Sequence, residues 1–150
     1  MGHTYTNLHY HIIFGTKNRE PIIGDELLTR LLPYIGGIIR ELYGSATIVN
    51  GTADHVHILA SSPASVAIAE IMRVVKSNSS RWINELGIVR GRFEWQSGYG
   101  AFSVSHSNVE TVKRYIADQA EHHRRMTFAE EFVLFLKKHG VEYDERYLWK

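Results

Sequence analysis

Two residue pairs in this chain have types and spacings suited to phosphoryl chemistry. Tyr115 and Gln119 lie four residues apart in VKRYIADQAEHH, and His55 and His57 flank Val56. Four residues make about one helical turn, so the tyrosine hydroxyl and the glutamine amide would project from one helix face. On a strand, alternation puts two histidines separated by one residue on the same side. If that helix face meets that strand face, three candidate metal ligands (His55, His57 and Gln119) converge with one candidate nucleophile, Tyr115. Neutral imidazoles and an amide oxygen leave a divalent cation most of its charge for polarising a phosphate oxygen. A tyrosine hydroxyl, with a pKa of about 10, needs such a cation or a base beside it. The pattern reads as a metal-assisted tyrosine nuclease.

Each piece has a plainer reading. His9 and His11 repeat the same spacing, and a single such pair on a strand is more often half-exposed than a metal site. His55 and His57 differ in their surroundings, Asp54-His55-Val56-His57-Ile58-Leu59, an apolar run just after a tight turn. The His9–His11 pair is therefore expected to be a decoy. An aromatic at helical spacing is normally core, but Tyr115 falls off the stripe of Val109, Val112, Ile116 and Ala120 and shares a face with Gln119 and His122. His122 and His123 read as polar helix-end residues favoured by the C-terminal dipole.

The elements that must position these groups follow from periodicity. Residues 4–14 alternate, with Leu8, Tyr10, Ile12 and Phe14 on one face, as a strand does. Asp25 is placed to cap a helix carrying Leu27, Leu31, Ile35, Ile39 and Leu42, with Pro33 and Gly36-Gly37 in its middle and Gly44 as its stop. Strands at 45–49 and 56–60 flank a turn-rich Asn50-Gly51-Thr52-Ala53-Asp54. A second helix over 64–86 buries Ile68, Ile71, Met72, Val75, Trp82 and Leu86. Its other face offers a donor-rich row of Arg73, Lys76, Ser77, Ser80 and Asn84. Residues 93–96 and 101–105 around Ser97-Gly98-Tyr99-Gly100 read as a hairpin. Ser107-Asn108-Val109-Glu110 reads as a capping box opening the tyrosine helix, and Thr127-Phe128-Ala129-Glu130 as another opening a short helix that stops at Gly140. The order predicts an α+β split β-α-β with an antiparallel sheet and helices on one face.

Composition is consistent with one compact enzyme domain over residues 1–150. A 44% hydrophobic content suffices for one core, and the absence of cysteine excludes disulfides and thiolate metal sites. No apolar stretch is long enough to span a membrane, and a cytoplasmic protein is the expectation. With a formal net charge of +1, any nucleic-acid surface should be a local patch. Arg73, Lys76, Ser77 and Ser80 are the candidates for phosphate contact. Glu130-Glu131 and residues 142–145 make an acidic cluster late in the chain.

The chain resembles the single-tyrosine HUH transposases of small bacterial insertion sequences, including the REP-associated tyrosine transposases. The resemblance rests on Tyr10-His11-Ile12-Ile13-Phe14 with Thr16-Lys17-Asn18-Arg19 and Pro21, on Asp54 to Leu59, on Trp95 to Val104, and on Tyr115-Ile116, Gln119 and His122-His123. These pieces run through nearly the whole chain in family order. The resemblance implies a ferredoxin-like, RRM-like HUH endonuclease fold that cleaves and rejoins single-stranded DNA at transposon ends. It implies metal binding by His55, His57 and Gln119, with Mg²⁺ or Mn²⁺ as the ion. Attack by Tyr115 would give a 5′-phosphotyrosine and a free 3′-OH. It also implies recognition of DNA hairpins, and a homodimer in which the tyrosine helix reaches the partner's histidines; REP-associated relatives can act as monomers. Two alternatives explain less. A non-catalytic single-stranded nucleic-acid-binding module of RRM-like fold would leave the Tyr/Gln/His set unused and lacks the aromatic signature of that class. A zinc hydrolase on His55 and His57 lacks a nearby carboxylate ligand in the sequence.

Overall fold

The computed structural model describes residues 2–149. Four antiparallel strands, β1 (His9–Gly15), β2 (Ser45–Gly51), β3 (His55–Ser61) and β4 (Gly100–Val104), form one sheet in the order β2-β3-β1-β4. Among the described residues five α-helices flank it: α1 (Asp25–Leu42), α2 (Ile68–Leu86), α3 (Val109–Ala117), α4 (Gln119–His122) and α5 (Phe128–Lys138). The α+β architecture is the one expected from the element order.

Strand alternation divides the core in two. Ile12 and Phe14 of β1 and Val56, Ile58 and Ala60 of β3 pack against Leu27, Leu31, Ile35 and Ile39 of α1 and Ile71, Met72, Val75 and Ile83 of α2. Ile13 and Phe102 face the other way and pack against Phe128, Phe132 and Leu136 of α5. Helices thus cover both faces, not the single face expected from the element order. Phe128, Phe132 and Leu136 recur at helical spacing, so α5 has its own apolar stripe to bury. This second layer is why β3 is buried from His55 to Ala60, its histidines included.

Local signals set most ends, with three departures. Gly87 closes α2 in the left-handed conformation, at φ 67°. The Thr127 hydroxyl caps α5 by accepting from the Glu130 N–H at 3.2 Å. Asp25, however, is the first residue of α1, and the cap position is Gly24, with no side-chain bond. No side chain caps α3 either: Asn108 stands at its N-cap, so the expected capping box does not form. Nor do residues 93–96 pair with β4 as a hairpin. They run beside the end of β1, where Lys17 N–H donates to Glu94 O and Gln96 N–H to Gly15 O, because Phe93 and Trp95 drop into the α1/α2 core.

Candidate active site

On β3, His55 and His57 turn away from α1 and α2 and toward α3, α4 and α5. Asn50 on the neighbouring β2 fixes how α3 meets them. Its side-chain amide donates to the carbonyls of Ile116 at 2.8 Å and Ala117 at 3.3 Å, satisfying two of the orphan acceptors at the end of that helix. The helical path breaks at Asp118 (φ −96°, ψ 28°), so Tyr115 and Gln119 sit on two short helices rather than one continuous one. Gln119 is nevertheless buried with its Oε1 3.3 Å from His55 Nε2. All four residues singled out by spacing come together within one chain.

The structure adds three residues to them. Glu131 of α5 is fully buried, and its Oε1 lies 2.9 Å from His57 Nε2, 3.4 Å from His55 Nε2 and 3.4 Å from His123 Nε2. Its other oxygen accepts a hydrogen bond from the Tyr115 hydroxyl. His123 is not merely a helix-end residue, since its ring sits 4.3 Å from that of His55. His11 is not a decoy either. It is buried, with Nε2 2.8 Å from His57 Nδ1. The register pairs His11 with Leu59 and Ile13 with His57, so His11 is the diagonal neighbour of His57 on the same sheet face. His9 remains outside, its ring beside that of His106. His122 stacks on Tyr115 at 4.2 Å. Sequence held one usable signal for Glu131: it falls on the apolar side of α5, three residues after Phe128 and one before Phe132, where a carboxylate requires a partner.

Electrostatics follow from burial and pairing. Burial alone would raise the Glu131 carboxyl, but hydrogen bonds from His123, His55 and His57 hold it far below the usual carboxylate range. Burial lowers His57 to about 4 despite Glu131, and drives His11 well down too. For His55 the lowering by burial is overcome by bonds to Asp54 and Glu131, which raise it. Tyr115 is raised, first by burial and then by the Glu131 carboxylate. The pocket is thus built around an anion, and burial and that anion both favour the protonated form of Tyr115.

The donor set fits a divalent metal. One ligand atom each from His55, His57, His123 and Glu131 all lie within 4.8 Å of one another, and Gln119 adds its Oε1. Gln119 Nε2 is a buried atom without a hydrogen-bond partner, as expected of a group arranged for something more than its contact with His55. His55 Nδ1 lies 2.7 Å from Asp54 Oδ1. That contact orients the ring and leaves Nε2 facing the cluster, the carboxylate–histidine arrangement common behind metal ligands.

On the opposite face, Arg73, Lys76, Ser77 and Ser80 of α2 share a groove of about 720 Å³ with Arg81, Arg92 and residues 93–97. Lys76 Nζ donates to the carbonyls of Gln96 at 2.7 Å and Gly98 at 2.5 Å, and burial lowers its pKa to about 8. The Ser77 and Ser80 hydroxyls turn back onto carbonyls of their own helix, those of Arg73 and Ser77. Among the described residues no helix is long and apolar enough to cross a membrane.

Known proteins resemble this chain in sequence and in fold. The family model described as "Transposase IS200 like" matches residues 4–119. The transposases for insertion sequence element IS200 from Salmonella typhimurium and Salmonella typhi are each 28% identical over 131 residues, covering 81% of this chain and 82% of theirs. A crystal structure of a candidate transposase from Deinococcus radiodurans is similar at a TM-score of 0.59 and 25% identity, over 79% of this chain and 96% of that one. The REP-associated tyrosine transposase bound to a REP hairpin shares the fold at a TM-score of 0.54 and 11% identity, over 77% and 67%. With the family match spanning both histidines, the tyrosine and the glutamine, the chain belongs to the IS200-like transposases.

Proposed function

We propose that this transposase cleaves and rejoins single-stranded DNA through a tyrosine-linked intermediate. The observation that carries this is the convergence of Tyr115 and Gln119 on His55 and His57 in one largely buried pocket. Tyr115 Oη would give up its hydroxyl proton and attack a phosphodiester, forming the Tyr–O–P bond as the P–O3′ bond breaks. The 3′ oxygen leaves and takes up a proton, and the 5′-phosphate stays on the enzyme. The covalent link conserves the phosphodiester, so a second 3′-OH can reverse the step at a new junction.

His55, His57 and Gln119 would hold Mg²⁺ or Mn²⁺, which when bound supplies positive charge to the phosphate and the tyrosine oxygen. Asp54 orients His55, and His11 orients His57, through their δ nitrogens. Asn50 fixes the end of the tyrosine helix. The α2 groove is the surface for the DNA backbone, with Arg73 facing phosphate, Lys76 holding the 96–98 segment in place, and Ser77 and Ser80 lining the wall. The hairpin in the REP-associated structure makes a hairpin-bearing single strand the substrate to try first. A metal-dependent covalent protein–DNA adduct tests this reading. Glu131 supplies the carboxylate that a zinc hydrolase would need, but hydrolysis leaves no adduct, and a binding-only module leaves neither adduct nor cut.

A further inference from the structure

We infer that Glu131 is a metal ligand, so that α5 completes the catalytic centre with a carboxylate. This rests on the reading of His55 and His57 as metal ligands. Glu131 lies twelve residues beyond residue 119, where the family match ends, so the match does not assign it.

Geometry carries the inference. A single oxygen, Glu131 Oε1, is approached by three imidazole nitrogens at 2.9, 3.4 and 3.4 Å. Neighbouring ligand atoms around one ion at about 2.0–2.2 Å stand roughly 3.0–3.5 Å apart, so these separations suit the edges of one coordination shell. The carboxylate is fully buried. Its charge is answered by three imidazoles at one oxygen and by the Tyr115 hydroxyl at the other. Charge balance points the same way. A divalent cation held only by two neutral imidazoles and an amide would have no charged ligand to offset its two positive charges in a largely buried site. With Glu131 as a ligand and Asp54 behind His55, the site becomes neutral. Hard cations prefer a carboxylate oxygen to an amide oxygen, and a set combining imidazoles with a carboxylate suits Mn²⁺ better than Mg²⁺, which favours oxygen and water. Because Glu131 Oε2 accepts the Tyr115 hydroxyl bond, one side chain would register the nucleophile against the ion.

Calorimetric titration of Mn²⁺ into the full-length protein tests this without any DNA. Wild type, Glu131→Gln, Glu131→Ala and His57→Ala are compared, with circular dichroism to establish that each is folded. Glu131→Ala is expected to weaken Mn²⁺ binding at least about tenfold, the lower end of the loss caused even by removing an outer-shell partner of a metal site. Glu131→Gln, which keeps the shape and loses the charge, should fall between wild type and alanine. Unchanged or tighter binding in Glu131→Ala, with binding lost in His57→Ala, would overturn the inference alone. Glu131 would then be a counter-ion the metal displaces. Unchanged binding in His57→Ala as well would overturn the metal-dependent reading of the site itself.

Discussion

At the residue scale, the histidine pair is asymmetric. His57 is neutral and held low, to about 4, while His55 is raised by the two carboxylates that flank it. A depressed histidine binds its proton less well folded than unfolded. Its contribution to stability is therefore complete above the usual value of about 6.5 and is lost as pH falls toward about 4. His55 has the opposite sign, with stability present below its usual value and fading as pH rises through its raised one. The two are separated by comparison with His57→Gln in chelator-treated protein. Between pH 7 and pH 5 the melting temperature of wild type should fall further than that of the variant. Parallel curves would mean that His57 is not held neutral by burial.

At the element scale, the site depends on α5 lying flat against the sheet, which the backbone permits at Gly15. A Cβ there would overlap the Phe128 ring and stand 3.1 Å from Gln96 Oε1, and Phe128 stacks on His55 at 4.3 Å. Gly15→Ala should cost about 1–3 kcal/mol, as overpacking does, and should weaken Mn²⁺ binding through the displaced α5. Denaturant unfolding and metal titration check both, and a variant as stable as wild type would show that α5 is not clamped there. Which parts of this arrangement are legible in the sequence depends on range. Tyr115–Gln119 and His55–His57 are local spacings, and they point to the right faces even though the helix breaks at Asp118. His11 and Glu131 are tertiary. The first needs the β1–β3 register, and the second needs α5 on the second sheet face, so within the Glu130–Glu131 pair it looks like surface charge. The 93–96 segment has strand-like composition, but Phe93 and Trp95 are buried in the helical core and the segment runs beside the end of β1 instead of β4.

At the scale of the whole molecule, the groove and the candidate chemistry lie on opposite sheet faces, and both belong to one chain. Arg73→Ala should weaken single-stranded DNA binding and lower the salt slope by about one unit, as one lost phosphate contact does. An unchanged slope would return the groove to an ordinary solvated surface. The homodimer expected from the family resemblance would exchange tyrosine helices, yet here Tyr115 meets His57 and Glu131 of its own chain. Mixing Tyr115→Phe with His57→Ala should therefore restore no cleavage, because every site keeps one defect. Recovery in the mixture would show the tyrosine helix crossing to a partner. The central claim is that Tyr115 carries the DNA. Wild type and Tyr115→Phe, each incubated with Mn²⁺ and a hairpin-bearing single-stranded oligonucleotide, are resolved under denaturing conditions and the linked peptide is mapped by mass. A 5′-phosphate on Tyr115, absent with chelator and absent in a variant that still binds the oligonucleotide, is the predicted result. Undiminished adduct in Tyr115→Phe, or cleavage by wild type with no adduct at all, would contradict it.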